Sequence, residues 1–327
     1  MTDEPWSEAN ARVRLKRLAP ALPMAVTGEP GMIPSFSNDV WALGDVILRV
    51  CWRGNPERLL REAVLGAAAP AAVGYPEVLG SGAFEGMAWT LTRRVGGRML
   101  NEVWHDPDRG RVRAVIAHLG ERLRALHAWT PSGEAAAALR AHAAVRPVGV
   151  EAIIGQDVVP LPLERSEGLL EALRALDHVD PGVVDSAWVR MRELARFDPF
   201  AAPGEQVAHC DATYPNILVE GDRVSALLDL EWARLGPSWL ELPGWTRLLE
   251  DLRAQGADPP PLLDWLQVDY PQMFAGPNLR ERLWLCELAF TLRHILFWPP
   301  DAPEDRLIAE HPLHRLRRLI EAPIPWR

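Results

Sequence analysis

Two short runs hold the residue types that could do chemistry. They are His209-Cys210-Asp211-Ala212-Thr213-Tyr214-Pro215-Asn216 and, further on, Leu228-Asp229-Leu230-Glu231. Phosphoryl transfer needs three such oxygen-bearing groups. One carboxylate accepts the proton of the acceptor hydroxyl, while an amide and a second carboxylate hold magnesium on the nucleotide. Little covalent chemistry falls to the protein in that reaction, so positioning and charge neutralisation carry it. The spacing therefore casts Asp211 as the catalytic base and Asn216 and Asp229 as metal ligands, with Glu231 as a secondary ligand.

A hairpin is expected to position them. Ile217-Leu218-Val219 reads as a strand, Gly221-Asp222 as a turn pair and Val224 to Leu230 as the return strand. A two-residue turn puts Glu220 opposite Arg223 and Asn216 opposite Leu227. Asp229 would then share a face with Asn216. Diagonal neighbours on one face lie ~7–8 Å apart, and Mg²⁺, with ligands at ~2.1 Å, fits between two such side chains.

These residues resemble the aminoglycoside phosphotransferase and choline kinase family, whose motif is H-G-D-x-x-x-x-N followed by a D-x-D/E strand. Residues 209–216 and 228–231 match it, with Cys210 in place of the usual Gly. Gly236-Pro237-Ser238-Trp239-Leu240-Glu241-Leu242 is similar to the family's G-D-P-x-x-D-L run, with Glu241 where Asp is usual. The resemblance implies an α+β, bilobal protein-kinase-like fold. A small strand-rich nucleotide-binding lobe would occupy 1–95, opening with a short helix. A larger helical lobe over 96–327 would carry the catalytic loop and the acceptor site. ATP or GTP is the implied donor.

Lysine usage sharpens the expectation. Lys16 is the only lysine, and arginine supplies the other 34 of the 35 basic side chains. No G-x-x-x-x-G-K-[ST] exists, which excludes a Walker-type phosphate loop. Lys16 sits in Arg14-Leu15-Lys16-Arg17-Leu18, a basic helical run, so an arginine must do the work of a kinase strand lysine. Val46 to Val50 reads as the second strand of a hairpin turning at Gly44-Asp45, with Ile47 and Arg49 on one face. The next helix has Asn55 as N-cap and Pro56 at its first position. Leu59, Glu62, Ala63 and Gly66 share one side of it. Arg49 and Glu62 are therefore expected to grip the nucleotide's α- and β-phosphates, as a strand cation and its helix partner. By the resemblance, Ser37-Asn38 takes the place of a glycine-rich phosphate loop, and Arg93, Arg94 and Val95 form the hinge that reads the base. Gly80 to Gly86 is expected to be a hairpin loop. Arg111 to Trp129 is an amphipathic helix with His127 in a structural place near its end.

Bulk properties exclude several classes. The formal net charge is −9, which argues against nucleic acid as a partner. Residues 1–130 have net charge +2 and the remainder −11, which suits phosphates in one part and a cationic acceptor in the other. No apolar run reaches the ~18 residues a membrane helix needs. The acidic, polar start is unlike a secretory signal. Three scattered cysteines without a C-x-x-C pair fit the reducing cytoplasm. The expectation is an enzyme that moves the γ-phosphate of ATP or GTP to a hydroxyl of a small molecule, such as an amino sugar, antibiotic or amino alcohol. The competing reading is a nucleotide-binding module without turnover, since Cys210, Arg49 and the glycine-poor phosphate loop depart from the commonest pattern.

Overall fold

A computed structural model describes residues 7–26, 28–35, 38–53, 55–106, 108–144, 163–197, 205–297 and 311–323. The first part is a five-stranded antiparallel sheet in the order β1-β2-β3-β5-β4. Its strands are β1 (Gly31–Ile33), β2 (Asp39–Leu43), β3 (Val46–Cys51), β4 (Val78–Phe84) and β5 (Met87–Arg93). The β2–β3 register places Leu43 against Val46 across the Gly44-Asp45 turn, as the sequence predicts. Helix α1 (Glu8–Leu18) covers one face, burying Leu15 and Leu18 with Trp41, Leu48, Trp89 and Leu91. Helix α2 (Pro56–Ala68) covers the other, where Leu59 meets Cys51 and Ala88. Strand β5 is sandwiched between the two helices, which is why Met87 to Thr92 are all buried instead of alternating.

The Gly80 to Gly86 run is not a hairpin loop. Gly80 and Gly82 lie inside β4, and the turn is Glu85-Gly86 alone. Trp89 lies across these glycines, and a Cβ on Gly82 would come within 2.9 Å of its ring. The glycines therefore make room for a cross-strand tryptophan.

The second part is mostly helical. Strand β6 (Arg98–Met99) and the short α3 (Leu100–Val103) lead to α4 (Arg109–His127). The apolar stripe of α4, including Val112, Ile116, Leu119 and Leu123, lies in the main core. Helix α5 (Gly133–Ala144) follows. Helices α6 (Leu163–Arg174) and α7 (Pro181–Leu194) follow, then strands β7 (Val207–Ala208), β8 (Ile217–Glu220), β9 (Arg223–Leu227) and β10 (Arg234–Leu235). Strands β6, β8 and β9 form one small sheet, and β7 pairs with β10. Helices α8 (Leu242–Ala254), α9 (Leu262–Asp269), α10 (Leu279–Phe297) and α11 (Pro312–Glu321) complete the chain. A second core joins α6, α7, α10 and α11 through residues such as Leu173, Met191, Leu288 and Leu316. Among the described residues no helix is long and apolar enough to cross a membrane.

Candidate active site

The loop after β7 is held from below by Glu241. Its carboxylate accepts from the backbone N–H of His209 at 2.6 Å and of Cys210 at 3.0 Å. His127, at the end of α4, lies 3.0 Å from the same carboxylate through Nε2 and 2.9 Å from the Tyr270 hydroxyl through Nδ1. Burial alone would raise Glu241, but the hydrogen bonds from His127 and the His209 amide hold it below the usual carboxylate range. His127 thus has the structural place expected of it, and Glu241 anchors the motif loop.

Cys210 stands in the left-handed region at φ 66°, where the usual glycine carries no penalty. Burial pushes its thiol up, so it is no nucleophile. The turn at Cys210 lets His209 point to the second run. Its Nε2 lies 2.8 Å from the Leu228 carbonyl, while Nδ1 accepts from the Asp211 amide at 3.3 Å. One imidazole ties the two motif runs together, a contact that sequence spacing does not show.

Asn216 Nδ2 donates to both the backbone oxygen and Oδ2 of Asp211, each at 2.9 Å. Thr213 Oγ1 donates to Oδ1 at 3.4 Å. These bonds favour the ionised acid, as does Arg247. Burial and the charge of Asp229 outweigh them and push Asp211 up to about 7.

The hairpin register is only half as expected. Glu220 does pair with Arg223, but the ladder shifts between Leu218 and Val219, so Leu227 pairs with Ile217 and not with Asn216. Ser225 is the extra residue, a bulge that slips the register by one. Asn216 instead closes a 3₁₀ turn (Tyr214–Asn216), and its carbonyl accepts from Leu228 N–H at 2.8 Å. Asp229 is not on the strand either. It follows the end of β9, with φ 65° and ψ 68°, and starts a 3₁₀ turn over Leu230–Trp232. The two residues are neighbours through the Asn216–Leu228 bond and a reversed backbone, not through a shared strand face.

Arg49 and Glu62 meet as an ion pair at 2.6 Å. The other nitrogen of the Arg49 fork, Nη2, lies 3.5 Å from Asp229 Oδ1. Tyr75 donates to Glu62 at 2.7 Å. Tyr75 reaches it because Gly66, one turn further along α2, has no side chain where the phenol ring lies. Glu62, Asp229 and Glu231 have carboxylate oxygens within 4.8 Å of one another. Burial, with the charge of Asp229, pushes Glu231 up to about 7 against the pull of Arg58, whose Nη2 is 2.6 Å away. The donors fit a hard divalent cation. Asp229 Oδ1 is buried without a hydrogen-bond partner. Asn216, its NH₂ committed to Asp211, turns its amide oxygen away from that carboxylate.

Crowded carboxylates have a consequence for stability. Acids raised in the folded state bind protons that the unfolded chain releases near pH 4, so their contribution is complete below the unfolded pKa. It is lost as pH climbs through the folded value. Asp211, Glu231 and the buried Glu287 reach about 7 and Asp251 about 6. The metal-free protein should therefore lose thermal stability between pH 5.5 and 8, with midpoints read by scanning calorimetry at constant ionic strength. A midpoint that rises over that window would contradict the crowding.

Ser37 lies outside the described residues. Asn38 is buried, beside the fully buried Asp39. Arg14 grips Asp39 through two bonds of 2.7 and 3.1 Å, and Trp52 Nε1 donates to it at 3.1 Å. Lys16 on the same helix is exposed. The backbone N–H groups of Arg93 and Arg94 bond to the carbonyls of Glu77 and Asp45, each at 2.8 Å, within the first sheet region. The Arg93 side chain pairs with Asp45 and Glu77. The linker then passes over β8 at Gly97, whose φ of 127° and 2.8 Å Cβ approach to the Val219 carbonyl leave no space for a side chain.

A five-stranded sheet with one inward helix, joined by a short linker to a helical lobe bearing this loop, is the protein-kinase-like fold. The chain belongs to the phosphotransferase enzyme family, whose model matches residues 33–281. It is similar in structure to aminoglycoside phosphotransferase APH(4)-Ia, with a TM-score of 0.62, 18% identity, and 96% of this chain and 98% of the other covered. It is also similar to a choline/ethanolamine kinase family protein from Mesorhizobium loti, with a TM-score of 0.61, 22% identity and 95% of each chain covered. The aminoglycoside phosphotransferase APH(2'')-IIa, solved as a ternary complex with streptomycin and ATP, gives a TM-score of 0.58 at 12% identity over 98% of this chain and 97% of that one. A search of curated proteins found no sequence match.

Proposed function

We propose that this kinase transfers the γ-phosphate of ATP or GTP to a hydroxyl of a small acceptor, using residues 1–95 chiefly for the nucleotide and 96–327 for catalysis and the acceptor. The observation that carries the reading is the meeting of the Arg49–Glu62 pair with Asp229, whose Oδ1 lies 3.5 Å from the arginine. Arg49 grips the α- and β-phosphates, bidentately where a lysine would act as a point charge. Glu62 fixes the direction of Arg49. Asn216 and Asp229 hold Mg²⁺, with Glu231 behind them, and the metal supplies charge neutralisation on the phosphates. Asp211 orients the acceptor hydroxyl and takes its proton. Ser37 and Asn38 border the phosphates. With the Arg93 and Arg94 amides engaged in the sheet region, the base falls to their carbonyls and to Val95. A structural neighbour was solved with AMP-PNP and hygromycin B, which supports a nucleotide beside a small-molecule acceptor. The −11 charge of the second part favours an acceptor with an ammonium group. The three cysteines are buried and form no disulfide, in keeping with the cytoplasm.

A transfer assay with γ-labelled ATP and GTP against amino sugars, amino alcohols and neutral hydroxylated compounds tests this. Labelled product from an amine-bearing acceptor is expected. Transfer confined to neutral acceptors would discard the cationic preference, and no transfer to any would remove the enzyme assignment. The arginine grip has its own test. Arg49→Ala should weaken ATP binding by calorimetry at least ~10-fold, the scale of a lost charge-assisted contact, while Lys16→Ala leaves it unchanged. A dominant effect at Lys16 would overturn the strand assignment.

A further inference from the structure

Arg61 lies next to Glu62 on α2 and reaches the backbone of the Asp229–Ala233 segment. Its Nη1 donates to the Glu231 carbonyl at 3.0 Å, its Nη2 to the Ala233 carbonyl, and its Nε to the Ala138 carbonyl of α5 at 3.5 Å. A guanidinium drawn out of water toward neutral carbonyls is an expensive arrangement. Burial and the cations of Arg234 and Arg58 lower it to about 10. Two of the oxygens it grips, those of Glu231 and Ala233, belong to the turn over Leu230–Trp232 and its exit. Asp229 begins that turn in a left-handed conformation that any side-chain-bearing residue adopts at a cost. The turn is closed by Ala233 N–H to the Leu230 carbonyl at 3.0 Å. Arg58, one helical turn before Glu62, adds a side-chain tie to Glu231 and stacks 3.5 Å over Trp232.

We propose that Arg61 is a positioning residue for Asp229: its fork across the carbonyls of Glu231 and Ala233 holds the reversed backbone that aims the Asp229 carboxylate at the metal. This rests on the metal role given to Asp229 above. Adjacent residues of one helix then serve the two halves of the site. Glu62 sets the phosphate-gripping Arg49, and Arg61 sets the metal-bearing turn. A lysine cannot replace the fork, because an ammonium has no planar pair of donors to span both oxygens.

The test is Mn²⁺ binding to the full chain with ADP present, followed by electron paramagnetic resonance, for wild type, Arg61→Met, Arg61→Lys and Asp229→Ala. Arg61→Met should weaken Mn²⁺ about 10-fold, the scale of losing a residue that orients a ligand. Arg61→Lys should weaken it by less, and ADP affinity measured in EDTA should stay unchanged in both. Unaltered Mn²⁺ affinity in Arg61→Met, even with a lower melting temperature, would show a merely structural arginine and overturn the proposal. An equal loss of metal-free ADP affinity would also overturn it, by placing the effect on the Arg49–Glu62 grip. If Arg61→Met fails to fold, wild-type Mn²⁺ affinity in Arg61→Lys overturns it. Asp229→Ala separates the underlying reading: Mn²⁺ binding retained there removes the metal assignment itself, whereas loss there with none in the Arg61 variants removes only the role of Arg61.

Discussion

Asp211→Ala should lower kcat by at least ~10², the low end for a positioned general base, and leave nucleotide affinity nearly intact. The asymmetry follows from where the side chain sits. Asp211 is bonded by Asn216 and Thr213 within its own loop, while Arg49, Glu62 and Asp229 form a separate ionic group, the one proposed to grip the phosphates. Removing the Asp211 side chain therefore costs the contact with the acceptor hydroxyl and spares the nucleotide grip. Asn216 keeps a second anchor in the Asp211 backbone oxygen, so the loop should hold its shape. Steady-state kinetics on the best acceptor, with calorimetry for ATP, make the measurement. Turnover close to wild type would remove Asp211 from the reaction and with it the kinase assignment.

The sequence displayed the chemistry better than the path of the chain. Arg49 and Glu62 were legible because a strand's period of two and a helix's spacing of three to four each aim one residue inward, and the Asn55-Pro56 start fixed the helix register. The candidate set of Asp211, Asn216 and Asp229 was visible as residue types at a spacing. Its geometry was not, because a bulge at Ser225 and a left-handed Asp229 depend on tertiary packing and leave no local signal. The left-handed turn at Cys210 was hidden for a related reason: cysteine occupies a position whose usual glycine would have announced it. Gly80 to Gly86 misled, since glycines that accommodate Trp89 look locally like glycines that make a loop. Contacts that join distant segments were invisible. The His209–Leu228 bond spans nineteen residues and the Arg61–Glu231 bond 170.

Asp229 should show the largest effect on metal dependence, and two substitutions separate its charge from its backbone. Asp229→Ala deletes the ligand and also strains the turn, because alanine resists φ near 65°. Asp229→Asn keeps an oxygen donor and a residue type that tolerates the left-handed region, and removes only the charge. The charge of Asp229 raises Asp211, Glu62 and Glu231 alike. Removing it relieves a repulsion that the metal-free molecule bears at neutral pH. Asp229→Asn should therefore melt higher than wild type at pH 8 without metal, and the gap should close toward pH 5.5 as the neighbouring acids take up protons. With Mg²⁺ and ATP the order should reverse. A ligand that binds the folded state stabilises it by RT ln(1 + [L]/Kd), and the variant forfeits most of that rise because its site has lost the carboxylate. Melting temperatures of both proteins at the two pH values, with and without Mg²⁺ and ATP, give the full comparison. A variant that gains as much from Mg²⁺ and ATP as wild type would show that the cation is held elsewhere. One no more stable than wild type at pH 8 without metal would show that Asp229 does not crowd its neighbours.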